Sequence, residues 1–227
     1  MVQIEFHASA VMAVPLHMVK RVMAELAVAM SIVIAAASAA STQTPTAYRV
    51  DPAKSVATIH VGKAGAFSFM AGHTHEVRGP IESGAVDVDL ETPARSRVHL
   101  VIAASALKVL AAGEPEGDPP KVEAAMQGDK VLDVQRFPRI TFDSTGVTQT
   151  SRNGNVLELR VAGQLTIRDV AQPVTVPVRV QLADGGVTAT GRFEIKQSAF
   201  GIKPVSVGGV VAVKDALDIE FSVVAAK

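Results

Sequence analysis

The sequence predicts an all-β fold: an extended antiparallel β-barrel of about eight strands with one short helix at an end. Three observations carry this. Beyond residue 40, apolar and polar residues alternate through most of the chain, and period two with one dry face and one wet face marks antiparallel strands around an interior. Asn153-Gly154 and Asp184-Gly185 interrupt the alternation; such pairs favour tight hairpins, because a type I′ turn needs positive φ at both central residues. The apolar content, 48% of 227 residues, is aliphatic, with 4% aromatics, no Trp and one Tyr, so Val, Leu, Ile and Ala must build the core.

Residues 1–40 read as a signal peptide. Lys20 and Arg21 precede an apolar run from Leu26 to Ala37, and Ala37-Ser38-Ala39 fits the small-x-small cleavage pattern, placing cleavage near Ala39 or Ala40. The run falls short of the roughly 20 residues a spanning helix needs, so no stable transmembrane span is expected after cleavage. The stretch before Lys20 is long for a leader, and Met18 would make a more ordinary start. Residues 41–227 then form one domain.

Within that domain the strands follow one another by parity. "FSFMAGHTHEVRG" carries Phe67 and Phe69. "AVDVDLE" sets Val86, Val88 and Leu90 against Asp87 and Asp89, which read as a solvated face, and "RSRVHLVIA" sets Val98, Leu100 and Ile102 against Arg95, Arg97 and His99. An excursion between Ser105 and Phe137 begins with "AAGEPEGDPP", a loop whose charges read as surface. A helix follows, with Asp118 as N-cap, Pro119 at the first position and Gly128 as the stop. Its apolar residues Val122, Ala125 and Met126 share a face that packs on one end of the sheet; whether that face also gates an entrance is open. Beyond it, Ile140 and Phe142 share one parity, as do Leu157, Leu159, Val161, Leu165 and Ile167. The same holds for Val174, Val176, Val178, Val180 and Leu182, for Val187, Phe193 and Ile195, and for Leu217, Ile219, Phe221 and Val223. Pro177 takes a polar-parity position, which places its strand near an edge or a bulge.

Charge and composition exclude several functions. Lys plus Arg equals Asp plus Glu at 22 each, which gives no electrostatic grip on nucleic acid. Without Cys there are no disulfides, thiolate metal sites or Cys nucleophiles. No G-x-S-x-G and no Gly-rich phosphate loop occurs. The sequence points to a protein that is not an enzyme, although a Ser-His-Asp set assembled across strands is not decided by sequence. A closed sheet of this size is either filled by its side chains or holds one small ligand, and pattern alone does not choose. A hollow one lined by Val, Leu, Ile and Phe would suit an apolar, flexible ligand.

"KVEAAMQGDKVLDVQRFPRITFDST" resembles the central signature of the bacterial YceI-like family, a helix followed by hydrophobic-Asp-Val-x-x-Phe-Pro-x-Ile-x-Phe, here Leu132 to Phe142. "YRVDPAKSVATIHV" is similar to the family's opening strands, "GQLTIRDVAQPVTVPV" to its G-x-L-T-I-x-x-V-x-x-P-V motif, and "QSAFGI" to its Ser-x-Phe-Gly-Ile segment. The resemblance runs from about Tyr48 to Ala226. It implies a lipocalin-like barrel exported to the periplasm, holding a long apolar lipid, a polyisoprenoid, in its interior. On this reading the cavity is lined by Phe67, Phe69, Val88, Leu100, Ile140, Phe142, Leu159, Val161, Val176, Val178, Val180, Phe193, Ile195 and Phe221. The expected partner is that lipid, with no nucleic acid and no cofactor beyond a bound polyprenyl or other long-chain lipid; a homodimer through an edge strand is open.

The opening stretch departs from the family's common pattern in carrying His73-Thr74-His75-Glu76. Two imidazoles on one strand face with a neighbouring carboxylate would begin a metal site, but zinc wants three or four ligands. The reading adopted places His73 and His75 at the barrel rim, structural or touching a headgroup, with no metal. A periplasmic metal-binding protein using His73, His75 and Glu76, or a filled barrel acting through its surface in a stress response, are the alternatives.

Overall fold

The computed structural model describes residues 44–64, 74–207 and 211–227. Over these residues the strands are β1 (Thr46–Val50), β2 (Val56–Ala64), β3 (His75–Pro80), β4 (Ser83–Val88), β5 (Arg97–Ala103) and β6 (Lys108–Val109). The single α-helix among the described residues, α1 (Pro119–Gln127), comes next. Then follow β7 (Arg139–Asn153), β8 (Val156–Ile167), β9 (Val170–Ala183), β10 (Gly186–Lys196), β11 (Ser206–Val207) and β12 (Val211–Ala226). All their pairings are antiparallel.

Eight strands close a ring in the order β1-β4-β5-β7-β8-β9-β10-β12, with β12 returning to β1 through Arg49 opposite Ala226 and Val50 opposite Ala225. Along the same edge of β12, β2 takes over from Ser222 back to Ala212, and β3 and β6 extend the sheet beyond it. A side chain spans the changeover. The Oγ of Ser55 donates to the Val224 carbonyl at 3.1 Å and accepts from the Val224 N–H at 2.9 Å. The hydroxyl thus gives the Val224 N–H its partner and shares the Val224 carbonyl with the Asp51 N–H, which lies at 2.8 Å, and Ser55 is buried. Backbone groups lost between strands must find such partners, since an unpaired buried one is costly.

Burial follows the alternation. On β9, Val176, Val178 and Val180 are buried while Thr175, Pro177, Arg179 and Gln181 are exposed. The pairing of β9 with β10 runs from Ala183 opposite Gly186 to Val178 opposite Gly191. Pro177 therefore falls where that ladder ends, the local edge that a residue without N–H requires.

Gly128 stops α1 as expected, and three local expectations are corrected. Asp118 precedes α1 in helical conformation and makes no side-chain cap; its carboxylate instead accepts from Lys121 at 3.3 Å. Gly128 ends the helix in extended conformation, and the last carbonyls are taken by the returning chain, with Leu132 N–H on Met126 and Val134 N–H on Gln127. At the two hairpins only Gly154 and Gly185 have positive φ, so neither is type I′. That geometry belongs to the β8–β9 turn, where Arg168 (φ 52) and Asp169 (φ 58) both lie in the left-handed region. Finally, Asp89 is not solvated. It is buried, with Oδ1 accepting from the N–H groups of Glu91 and Thr92 and Oδ2 facing Arg95 Nε at 3.3 Å. The side chain folds back on its own backbone at the corner after β4, a local competition that Asp makes readily.

Candidate ligand cavity

Closing the sheet turns one parity of every strand toward a common interior, and here that interior holds a cavity of about 520 Å³. Branched side chains stand on the wall from β8, β9 and β10, while Ile59 and Val61 of β2 and Val77 of β3 line the side opposite in chain order. Such volumes belong to sites that bury most of a small ligand in apolar surroundings. Every expected lining residue that is described faces it: Val88, Leu100, Ile140, Phe142, Leu159, Val161, Val176, Val178, Val180, Phe193, Ile195 and Phe221. Phe67 and Phe69 lie outside the described residues.

The helix contributes as well. Val122, Ala125 and Met126 of α1 reach the cavity together with Leu132. Gln127 Nε2 donates to the Ser105 carbonyl at 3.2 Å, and Lys108 Nζ reaches Glu123 Oε1 at 2.6 Å, tying the helix to the β5–β6 segment. Below it, Arg136 and Arg168 both lie over the ring of Phe137, at 5.0 and 5.6 Å.

Polar groups on the wall are few. Lys63 and His75 take the places where the inner parities of β2 and β3 end. His75 Nδ1 meets Glu114 Oε1 at 2.6 Å, and the two side chains are 15% and 1% exposed. Glu114 belongs to the loop read from sequence as solvated, and that reading is overturned for this residue. Nothing local marks it, because its partner stands 39 residues away. Gln197, also on the wall, donates through Nε2 to the Lys214 carbonyl at 2.8 Å.

His73 lies outside the described residues. Glu76 points away from His75, across the sheet, and accepts from Arg78 at 3.0 Å. His60 lies 3.9 Å from Glu220, both half exposed, and His99 Nδ1 meets Asp143 Oδ1 at 2.6 Å on the outer face. Among the described residues no group of three or more His, Cys, Asp or Glu is arranged to hold a metal ion. Also among them, no helix is long and apolar enough to cross a membrane.

The carboxylates with depressed pKa lie outside the cavity. Arg192 on the outer face of β10 bonds Asp218 and Glu220 of β12. That guanidinium holds the Asp218 carboxyl below the usual carboxylate range, and the Ser198 hydroxyl does the same for Asp215.

The fold recurs in solved proteins. The crystal structure of Burkholderia cenocepacia BcnA is similar with a TM-score of 0.56 at 26% identity, covering 77% of this chain and 98% of that one. A polyisoprenoid binding domain from Saccharophagus degradans, implicated in plant cell wall breakdown, gives a TM-score of 0.55 at 12% identity, over 79% of this chain and 97% of that one. At that identity the likeness to the second shows the fold alone. Among curated proteins none matches the chain. The model of the YceI-like domain matches residues 48–225, from β1 to the end of β12, and the chain therefore belongs to the YceI-like family.

Proposed function

We propose that this protein is an exported, periplasmic carrier that holds a polyisoprenoid chain inside its barrel and acts by binding rather than by catalysis. The observation that carries the reading is the cavity of about 520 Å³ with a hydrocarbon wall drawn from nearly every strand of the ring. A filled barrel acting through its surface would leave no such space. The polyisoprenoid binding of the Saccharophagus degradans domain, which shares the fold, supports the choice of ligand, and the leader with Lys20, Arg21 and the run from Leu26 to Ala37 supports export. Burying apolar chain stabilises a complex by about 0.8 kcal/mol per methylene before ordering costs, so a bound lipid should survive aqueous purification.

The test is native mass spectrometry of protein made with its leader in a bacterial host and recovered from the periplasm. The expected result is a mature chain beginning near residue 40 or 41 with an adduct that organic solvent releases as a prenyl lipid. Bare chain mass, with extracts free of prenyl lipid, would sink the reading.

A further inference from the structure

Most of the cavity wall is strand, held by ladder bonds to its neighbours, and α1 is not. Its Val122, Ala125 and Met126 face the lumen, yet no residue of the helix is buried. An apolar helix face turned toward an apolar cavity lacks packing partners on that side, and hydrocarbon in the lumen would supply them.

The helix is held unevenly. Toward its C-terminal end, Lys108 Nζ meets Glu123 Oε1 at 2.6 Å and Gln127 Nε2 donates to the Ser105 carbonyl at 3.2 Å. The N–H groups of Leu132 and Val134, both buried, bond the Met126 and Gln127 carbonyls. The N-terminal end is reached through residues 111–118, whose backbone bonds are local: Glu114 N–H to the Ala111 carbonyl at 3.2 Å and Asp118 N–H to the Pro115 carbonyl at 3.1 Å. Gly113 and Gly117 have φ of 83° and 80°, and among the described residues a Cβ at either would meet nothing within 4 Å. The loop therefore stands in open space on both sides of Glu114, whose side chain is 1% exposed and meets His75 Nδ1 at 2.6 Å.

Elements with few buried apolar contacts open at a small fraction of the global unfolding free energy. We propose that residues 111–127 form a lid hinged at the Gln127 end and latched by Glu114 against His75, and that the apolar ligand enters and leaves the barrel beneath it. Hydrocarbon packed under Val122, Ala125 and Met126 favours the closed lid, because a ligand shifts an equilibrium by its differential contacts with the two states. The latch sets how often the free protein opens. The nature of the ligand rests on the carrier reading above; the lid does not.

Two measurements test this. In protein freed of lipid on a hydrophobic resin, amides of residues 119–127 should exchange hydrogen at least about tenfold faster than those of β8 and β9. Stopped-flow uptake of the apolar fluorophore N-phenyl-1-naphthylamine reads the entrance. Glu114→Ala and His75→Ala should raise its entry and exit rates together about fivefold, the effect of one hydrogen bond of ordinary net strength, with Kd changed less than about twofold. Glu114→Gln, which can accept from or donate to either His75 tautomer, should stay near the parent. The chain has no cysteine, so a short bifunctional thiol reagent can join His75→Cys to Glu114→Cys in one double variant. Joined protein should take up the probe at least about tenfold more slowly than the same variant left unjoined, a comparison that holds even if an alanine variant unfolds. Equal rates for joined and unjoined protein, alanine variants as slow as the parent, or α1 exchanging as slowly as β8 each overturn the lid. Parent protein that takes up no probe and carries no lipid overturns the carrier reading, and hydrogen exchange then still decides the lid.

Discussion

Ser198 shows how one side chain ties a short segment to the barrel. Its Oγ donates to Asp215 Oδ2 at 2.6 Å and its N–H to Oδ1 at 2.8 Å, pinning the turn Gln197–Phe200 to the irregular stretch of β12 between Val213 and Leu217. These bonds hold the Asp215 carboxyl below its ordinary value of 3.8. A carboxyl depressed in the folded state contributes stability that is present above its unfolded pKa and disappears as pH falls through the folded value. The contribution should be complete at pH 6 and fade below about pH 4. Ser198→Ala should therefore lower the melting midpoint at pH 6 and lose less on acidification, which thermal melts by circular dichroism between pH 6 and pH 2.5 would read. Parallel curves for parent and variant would refute the linkage. In the sequence Ser198 is visible as part of a motif, but Asp215 carries no mark of its own. Glu114 is equally silent, since a charged loop residue becomes buried only when the fold brings His75 against it.

Strands were legible because side-chain parity is imposed by the pleat itself. Turns were less so. Arg168-Asp169 contains neither Asn nor Gly, yet it adopts the geometry expected of Asn153-Gly154 and Asp184-Gly185. The explanation lies in tertiary contacts: Arg168 donates to the Val131 carbonyl at 3.1 Å and stacks on Phe137. A two-residue link between Ile167 and Val170 then leaves the left-handed region as the geometry that matches strand twist. Asp tolerates that region better than a β-branched residue does. Asp169→Val should accordingly cost about 1–2 kcal/mol. Asp184→Val, at an equally exposed hairpin residue with negative φ, should cost less. Urea titrations of the two variants compare them directly, and equal losses would contradict the turn assignment.

At the scale of the molecule, parity identified the wall of the barrel and could not say what it encloses. Val178 and Phe193 face inward whether the lumen is full or hollow. The difference depends on how far opposed side chains reach across the lumen, which the register between strands decides and parity does not. A bulky residue on the wall should consume the space: Val178→Trp should reduce copurifying lipid several-fold, whereas Arg179→Ala, one residue along on the outer face, should leave it near the parent level. Overpacking of this kind costs about 1–3 kcal/mol, so melting midpoints must confirm that both variants are folded. Equal lipid content in the two folded proteins would show that the cavity is not where the lipid resides.

The ring is shut by the first and last strands of the sheet in chain order, through Arg49 opposite Ala226 and Val50 opposite Ala225, with the Ser55 hydroxyl fastening the same stretch. Contacts between residues so distant in sequence bear the largest loop-closure entropy and form late. A nascent chain, made from its N-terminal end, cannot complete this closure until β12 has emerged. Until then it is an open curl of sheet with β1 and β2 lacking their β12 partner, a form that invites mispairing with other chains. The lumen comes into being only with the final strand, so under the proposed function loading would follow synthesis or coincide with its last step.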